Sequence, residues 1–288
     1  MEDREPTVRS RELGEGLRRA MECGGFHASG VARELGWSPS RVSRILSGKR
    51  GGSSHDVAAF IAICGVRGDE RERLMALSLD HGPGWHVHHN PALPRRVRTL
   101  ANHERHANGI ECFSGGVVPE LLQTRHYAAA VLEANPNVPK WDIAERVGVV
   151  QARQRHFEGE DAPGSVFYLH EFVLHTPVGG AALMSEQLHS LLRRSVRPTV
   201  SVRVVPRTAG AHAGMTGAFS LVNVRDFKRI VFVDGETVSH FIESPAEVGA
   251  YRAVLRELGR VALDEVRSRE LIAKLATKLY GVLDTLPR

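Results

Sequence analysis

The sequence predicts a multidomain protein in which an all-α domain of five short helices precedes a mixed α/β (α+β) domain. Three observations lead to this class. The 288 residues suffice for about two domains. Apolar residues recur at helical spacing throughout residues 8–79, and several of these stretches end at a glycine. From about residue 110, short runs rich in β-branched residues occur between helical patterns.

The composition is that of an ordinary globular protein, with 42% hydrophobic and 25% charged residues. No apolar run reaches the roughly 18–20 residues of a membrane helix, and no signal-peptide pattern precedes the first helix. The three cysteines lack metal-site spacing. We therefore expect a cytoplasmic protein without membrane contact. The net charge of +5 favours a polyanionic partner.

Residues 1–80 are interpreted as the helical domain. Its five helical patterns are, in order, SRELGEGLRRAME, ASGVARELG, SPSRVSRIL, SSHDVAAFIAICG and GDERERLMALSLDHG. Residues 81–108 are expected to form a linker and a bridging helix, because residues 81–94 are rich in Pro, Gly and His.

Residues 109–288 are interpreted as a regulatory and dimerisation domain. Strands are expected in GIECFSG, SVFYLHEFVL, TVSVRVVP, GAFSLVNV, RIVFVD and VSHFIE. Helices are expected in RHYAAAVLEANP, WDIAERVGVVQARQRHF, ALMSEQLHSLLRRSV, SPAEVGAYRAVLRELGRVAL and DEVRSRELIAKLATKLYGVL. Ser244, Pro245 and Glu247 predict an N-cap with a capping box at the start of the fourth of these helices.

Residues 28–47 have the spacing of two helices that cross around a tight turn. Ala32 is small where the second helix would pass closest, and Gly36 can adopt a left-handed turn without strain. Val42 and Ile45 would fill the gap between the helices. Ser38 and Pro39 supply an N-cap and an N1 proline. This combination is typical of a helix-turn-helix.

The outer face of the second helix is serine-rich and basic. Arginine can form paired hydrogen bonds with guanine, and small hydroxyls can reach phosphates or base edges. Residues 33–55 contain five Arg or Lys residues and one acid. We therefore predict the following DNA-binding residues: Ser38, Ser40, Arg41, Ser43, Arg44, Lys49 and Arg50. The alternative is a solvated basic helix in a helical bundle.

Residues 10–66 resemble the Xre/Cro/C1-type helix-turn-helix domain of bacterial regulators, chiefly through VARELGWSPSRVSRILSGKR. The family usually begins the first motif helix with Thr-Gln, whose Gln braces a phosphate and the recognition helix. Here HASG stands in that place, and the serine-rich helix would have to supply the missing contact.

Residues 100–280 resemble a domain of uncharacterised function that is appended to antitoxin-like regulators of high-GC bacteria. The resemblance is carried by VVPELLQTRHYAAAVL, LHEFVLHTPVGG, RPTVSVRVVPRTAGAHAGMTGAFSLV and ESPAEVGAYRAVLREL. It implies a small partner protein encoded nearby, and no catalytic residues come with it.

Three weaker signals contain histidine. HEFVLH, with His170, Glu171 and His175, is similar to a zincin motif, but its spacing is wrong and the segment reads as a strand. WHVHHN places His86, His88 and His89 close together in the expected linker. These side chains could bind a metal, but a linker that is simply exposed to solvent is the simpler interpretation. Residues 206–219 predict a loop that either closes over a small ligand, with His212 and Met215 at its mouth, or simply connects two strands.

Together these patterns predict a DNA-binding transcriptional regulator that binds a palindromic operator in double-stranded DNA as a homodimer. Its C-terminal domain would sense a small-molecule ligand or a partner protein. The alternative is an antitoxin-type interaction module that sequesters a small neighbouring protein. We expect no enzyme activity, cofactor or metal, because no nucleophile, acid–base pair or phosphate loop is recognisable.

Overall fold

The computed structural model describes residues 6–49, 52–79, 85–89, 93–159, 162–224 and 228–278, with the backbone alone for 85–89 and 93–96. The N-terminal domain consists of α1 (Val8–Cys23), α2 (Ala28–Glu34), α3 (Pro39–Leu46), α4 (Ser54–Ile63) and α5 (Gly68–Ser78). These helices enclose one apolar core, which contains Leu17, Val31, Val42, Phe60 and Leu74. The five-helix prediction is confirmed.

The C-terminal domain is built on a mixed sheet. Its strands are β1 (Trp85–His89), β2 (Ala107–Ser114), β3 (Gly164–His170), β4 (Val200–Val205), β5 (Phe219–Val224), β6 (Ile230–Asp234) and β7 (Val238–Ile242). The strand order is β1-β7-β6-β5-β2-β3-β4. The β2–β3 and β3–β4 pairs are parallel, and the other four pairs are antiparallel. The predicted α+β class is therefore confirmed.

Helices cover both faces of this sheet. They are α6 (Leu93–Glu104), α7 (Arg125–Glu133), α8 (Ile143–Gln154), α9 (Glu171–His175), α10 (Ala181–Ser195), α11 (Pro245–Val261) and α12 (Glu265–Lys278). Alternate residues of β5 face opposite cores, because strand side chains alternate: Val222 packs with α10 and α12 residues, and Leu221 packs with α11 residues. No helix in the described part of the chain is long and apolar enough to cross a membrane.

Three local expectations are corrected. Residues 85–89, expected in the linker, form β1, because their backbone pairs antiparallel with β7. The strand expected through residue 174 ends at His170, the last residue paired with β4, and Glu171 begins α9. Helix α11 begins at Pro245 as predicted, but Ser244 forms no side-chain cap, so the capping box is absent.

Helix α1 joins the two domains. The Val8 side chain is buried in the C-terminal core, and its backbone N–H donates a 2.9 Å hydrogen bond to Glu243 Oε2. Farther along α1, Glu12 pairs with Arg73 of α5 at 3.1 Å. Glu12 also accepts a hydrogen bond from Thr99 of α6. The N-terminal domain is therefore docked on the sheet domain through α1.

Candidate nucleic-acid interface

Helices α2 and α3 meet at the turn that the sequence predicts. Gly36 has a φ of +63°, the left-handed conformation expected of it. The Trp37 N–H donates a 2.8 Å hydrogen bond to the Ala32 carbonyl across this turn. Ala32, Val42 and Ile45 are all buried, at 3%, 0% and 2% exposure. The predicted packing of the two helices is confirmed.

Helix α3 begins with the predicted cap. Ser38 Oγ accepts the Arg41 N–H at 3.2 Å, and Pro39 occupies the first turn. Four members of the predicted outer face are exposed, namely Ser38, Ser40, Ser43 and Lys49. Arg50 lies outside the described residues. The DNA-binding role of all these residues stays a prediction.

Arg41 is held within the domain rather than extended into solvent. Its guanidinium lies 4.3 Å from the centroid of the Trp37 ring, and Nη2 donates a 2.8 Å hydrogen bond to Asp56 Oδ1. The side chain is 32% exposed. The Trp37 ring and the Asp56 carboxylate therefore fix the position of this partly exposed guanidinium, and the DNA-binding role of Arg41 stays a prediction.

Arg44 follows one turn later on α3 and is half-buried. Its buried Nε atom has no hydrogen-bond partner among the residues that the structure describes. Because a buried donor without an acceptor is unfavourable, a phosphate or base oxygen at this position would satisfy it. The Nε atom of Arg41 is likewise buried without a partner among the described residues, so the same physical reason to bind an oxygen ligand applies to both arginines.

Helix α1 braces the end of α3. Ser10 Oγ donates a 2.9 Å hydrogen bond to the Gly48 carbonyl, and Arg18 Nη2 donates a 3.3 Å hydrogen bond to the Leu46 carbonyl. Gly14 lies directly against α3, where a Cβ would overlap the Leu46 carbonyl oxygen. The missing side chain therefore lets the backbones of α1 and α3 approach closely.

Two residues absent from the sequence prediction shape this surface, Trp37 and Asp56. The basic stretch of residues 33–55 ends one residue before Asp56. The spacing of Ser53 and Asp56 is a sequence signal for a capping box, and the structure forms one. That box uses one oxygen of Asp56, and the other oxygen accepts from Arg41. The second contact has no local sequence signal.

The predicted ligand loop lines a cavity of about 330 Å³. The His212 ring stacks on His170 with centroids 5.3 Å apart. Each ring accepts a backbone N–H at Nδ1, from Gly214 and Phe172 respectively. Burial, together with the neighbouring His170, lowers the pKa of His212. Met215 lines the same cavity with 70% of its surface exposed, and its ligand role stays a prediction.

A second cavity, of about 200 Å³, lies between α6, β2 and the 117–123 segment. Its polar side is formed by Arg153, which donates two 2.7 Å hydrogen bonds to Glu104 and also pairs with Glu120. Burial alone would lower the pKa of Arg153, but the two carboxylates raise it above its ordinary value. Sequence reasoning assigned nothing to these three residues.

The zincin-like residues form no metal-binding arrangement. His170 caps α9, and His175 Nε2 pairs with Glu171 Oε1 at 3.2 Å on the same short helix. Among the described residues, no group of three or more His, Cys, Asp or Glu residues could hold a metal ion. The side chains of the predicted linker cluster, His86, His88 and His89, lie outside the described residues.

Comparison with known proteins identifies two family profiles. Domain of unknown function (DUF5753) matches residues 97–274, and Helix-turn-helix domain matches residues 12–74. No curated protein matches the chain. TrmBL2, described as an archaeal chromatin protein with a novel mode of DNA binding, aligns with a TM-score of 0.31 and 9% identity, over 86% of this chain and 92% of that one. A similarity this low carries no argument.

Proposed function

The chain belongs to the DUF5753 family and carries a helix-turn-helix domain, and from this premise we propose that it is a sequence-specific DNA-binding transcriptional regulator. The observation that carries the proposal is α3, a capped helix that presents exposed serines and two arginines beside the turn at Gly36. A helix of this kind enters the major groove and contacts base edges. Lys49 and Arg50 would contact phosphates.

We further propose a domain type and a location for this regulator. Its helix-turn-helix domain would be of the Xre/Cro/C1 type, and the protein would act in the cytoplasm at the nucleoid. A homodimer would place its two α3 helices about 34–36 Å apart, one helical turn of DNA. The C-terminal domain would receive a ligand or partner signal and would not catalyse a reaction. Native mass spectrometry tests the assembly, since a purely monomeric chain at micromolar concentration contradicts it.

The recognition helix is tested with the double variant Arg41→Ala/Arg44→Ala. We expect operator binding to weaken at least about hundredfold, because each arginine contact to a base contributes roughly 1–3 kcal/mol. Fluorescence anisotropy on the protein's own promoter measures the loss, and circular dichroism verifies the fold. The matched control is Arg252→Ala, an exposed arginine on α11. Equal affinity of the double variant and the wild type would remove the recognition assignment.

One observation favours the second candidate function, the sequestration of a small neighbouring protein. Phe172 and Met215 follow His170 and His212 in the sequence by two and three residues, and they are 54% and 70% exposed. A continuous apolar surface that includes both side chains would be typical of a protein contact. Co-purification with the adjacent gene product tests the idea, and Phe172→Ser should abolish it. Trp141→Ser, at an unrelated site with 83% exposure, is the control.

A further inference from the structure

Two histidines in the wall of the 330 Å³ cavity are held in fixed orientations. His170 Nδ1 accepts the Phe172 N–H at 3.2 Å and thereby caps α9. His212 Nδ1 accepts the Gly214 N–H at 3.2 Å and caps the short helical turn Ala213–Thr216 in the same way. The two rings stack with an angle of 20° between their planes. The protein therefore sets their orientations before any ligand binds.

The same hydrogen bonds determine which ring nitrogen carries the proton. A neutral imidazole has one N–H donor and one acceptor nitrogen. Because Nδ1 is the acceptor in His170 and in His212, the proton of each neutral ring is on Nε2. Neither Nε2 atom has a hydrogen-bond partner among the residues that the structure describes. Both rings line the cavity, so they offer a ligand two N–H donors.

The rest of the described lining is small and apolar. Besides the two histidines and Phe113, it consists of glycines, Met215 and Ala218, and none of these residues is charged. At Gly214 a Cβ would lie 2.5 Å from the Phe113 ring, so a side chain here would displace this aromatic wall. An apolar cavity of roughly 150 Å³ already holds benzene, so the larger volume suits a ring with a short chain.

This combination favours a neutral acceptor over an ion. A cation finds no acceptor on either imidazole, because Nδ1 is occupied and Nε2 carries the proton. An anion would leave water for a wall in which no described residue is charged, and such a transfer is unfavourable. A neutral carbonyl oxygen avoids that cost, and its two lone pairs can accept from both Nε2–H groups.

We propose that this cavity binds a small neutral ligand that carries a carbonyl group on an apolar body. His170 and His212 donate to the carbonyl oxygen, and Phe113 and Met215 contact the apolar part. The inference rests on the proposed function, in which the C-terminal domain receives a ligand, and it names the chemical class and the site of that ligand.

The test of the ligand class compares three compounds of similar size. Isothermal titration calorimetry of the full chain without DNA uses 4-phenyl-2-butanone, 3-phenylpropanoate and 3-phenylpropylamine. We expect the ketone to bind at least about tenfold more tightly than either ion, since a net hydrogen bond contributes on that order and the ketone loses no charge hydration. Equal binding of the three compounds, tighter binding of an ion, or no binding of the ketone overturns the proposed class.

Two substitutions remove the donors and keep the caps. Asparagine is a preferred N-cap residue, so His170→Asn and His212→Asn retain a capping oxygen but lose the Nε2–H group. Each should weaken ketone binding about three- to tenfold. The control is His189→Asn, at an exposed residue of α10 outside the lining, which should change nothing. Circular dichroism verifies the fold, and ketone affinity that is unchanged in both variants overturns the site.

The methionine methyl resonances locate the ligand in the unsubstituted chain. Met215 lines the cavity, whereas Met75 packs in the core of the N-terminal domain. In the nuclear magnetic resonance spectrum of methyl-labelled protein, we expect the ketone to shift the Met215 resonance and to leave that of Met75 unchanged. Met215→Leu identifies the first resonance. A Met215 resonance that stays in place at saturating ketone overturns the site.

The outcomes separate this inference from the proposed function. Binding of the ketone is measured without DNA, and promoter binding is measured without the ketone. A chain that binds its promoter but not the ketone overturns the cavity site alone. A chain that binds the ketone but not its promoter overturns the regulator and supports the site.

Discussion

At the residue scale, the Arg41 side chain both makes contacts within the N-terminal domain and forms part of the surface of α3. Asp56 and Trp37 hold the guanidinium beside α3. A DNA phosphate approaching Arg41 would compete with the Asp56 carboxylate and would be repelled by it. If the proposed function holds, Asp56 opposes the DNA binding that Arg41 would favour, and replacing Asp56 separates the attraction by Arg41 from the repulsion by Asp56.

We expect Asp56→Asn to raise the affinity for the promoter by about two- to fivefold, because one repulsive charge is removed and Arg41 is released. The half-exposed ion pair contributes less than about 1 kcal/mol to folding, so stability should fall only slightly. Anisotropy titrations and urea denaturation measure the two quantities. Asp69→Asn, exposed on α5, is the control. A weaker affinity would show that Asp56 positions Arg41 for binding.

His103 is the second residue whose environment has a measurable consequence. It lies on α6, is 1% exposed, and donates from Nδ1 to the Thr99 carbonyl at 2.8 Å if protonated there. Burial, and then the charge of Arg11, lower its pKa from 6.5 to about 3. His106 contributes to this lowering of the pKa, and Glu12 opposes it. The folded protein therefore keeps this imidazole neutral in mildly acidic solution.

This lowered pKa predicts a loss of stability in acid. Between pH 6.5 and about pH 3 the unfolded chain binds a proton at His103 and the folded chain does not. Stability is thus retained above pH 6.5 and decreases as the pH falls below it. Urea denaturation across this range should show a shallower decrease for His103→Gln than for the wild type. His189→Gln, exposed on α10, should keep the wild-type slope.

At the element scale, the position of α3 depends on how closely α1 can approach it. Gly14 has no side chain at the point where a Cβ would overlap the Leu46 carbonyl. Gly30 on α2 is the opposite case, since the nearest neighbouring atom among the described residues, in the Phe26 side chain, lies 3.8 Å from its Cβ position. The same substitution at these two helical glycines should have opposite effects.

We expect Gly14→Ala to lower the free energy of unfolding by about 2 kcal/mol, because overpacking forces the backbones of α1 and α3 apart. Gly30→Ala should raise it by about 0.5 kcal/mol, because alanine loses less backbone entropy in a helix. Urea denaturation measures both changes. A destabilised Gly30→Ala, or an unaffected Gly14→Ala, would contradict this account of the packing.

At the scale of the whole molecule, α1 is the connection between α3 and the sheet domain. Its first residue is buried in the sheet domain's core, and its N–H is bound by Glu243. Arg11 lies near this carboxylate, where burial lowers the pKa of the guanidinium to about 10 and Glu243 opposes that effect. The Glu243 carboxylate therefore compensates both an N-terminal helix amide and a buried cation.

Glu243→Gln tests this connection. We expect the free energy of unfolding to fall by about 2–3 kcal/mol, because Arg11 stays buried while the opposite charge of Glu243 is lost. The amides of the first turn of α1 should exchange faster with deuterium, since the helix is released from the sheet domain. Glu247→Gln, exposed on α11, should leave both values unchanged. Unchanged exchange in α1 would mean that Glu243 does not hold the domains together.

Sequence alone determined the helix-turn-helix and the class of the second domain. Gly36, Ser38, Val42 and Ile45 carry that information because turns, caps and helical faces depend on neighbours within a few residues. The strand expected beyond His170 and the linker expected at 85–89 were wrong for one reason. Where a strand ends, and whether an edge segment joins a sheet, depends on the partner strand.

Tertiary structure alone decided the candidate sites. Arg41 and Asp56 are 15 residues apart, and Glu104 and Arg153 are 49 residues apart. Such pairs form only when helices from different parts of the chain pack together, and no local spacing encodes them. The same holds for the cavity that Arg153 lines and for the joining of the domains through α1. Short-range patterns thus determined the helix-turn-helix, and long-range packing determined what surrounds and supports it.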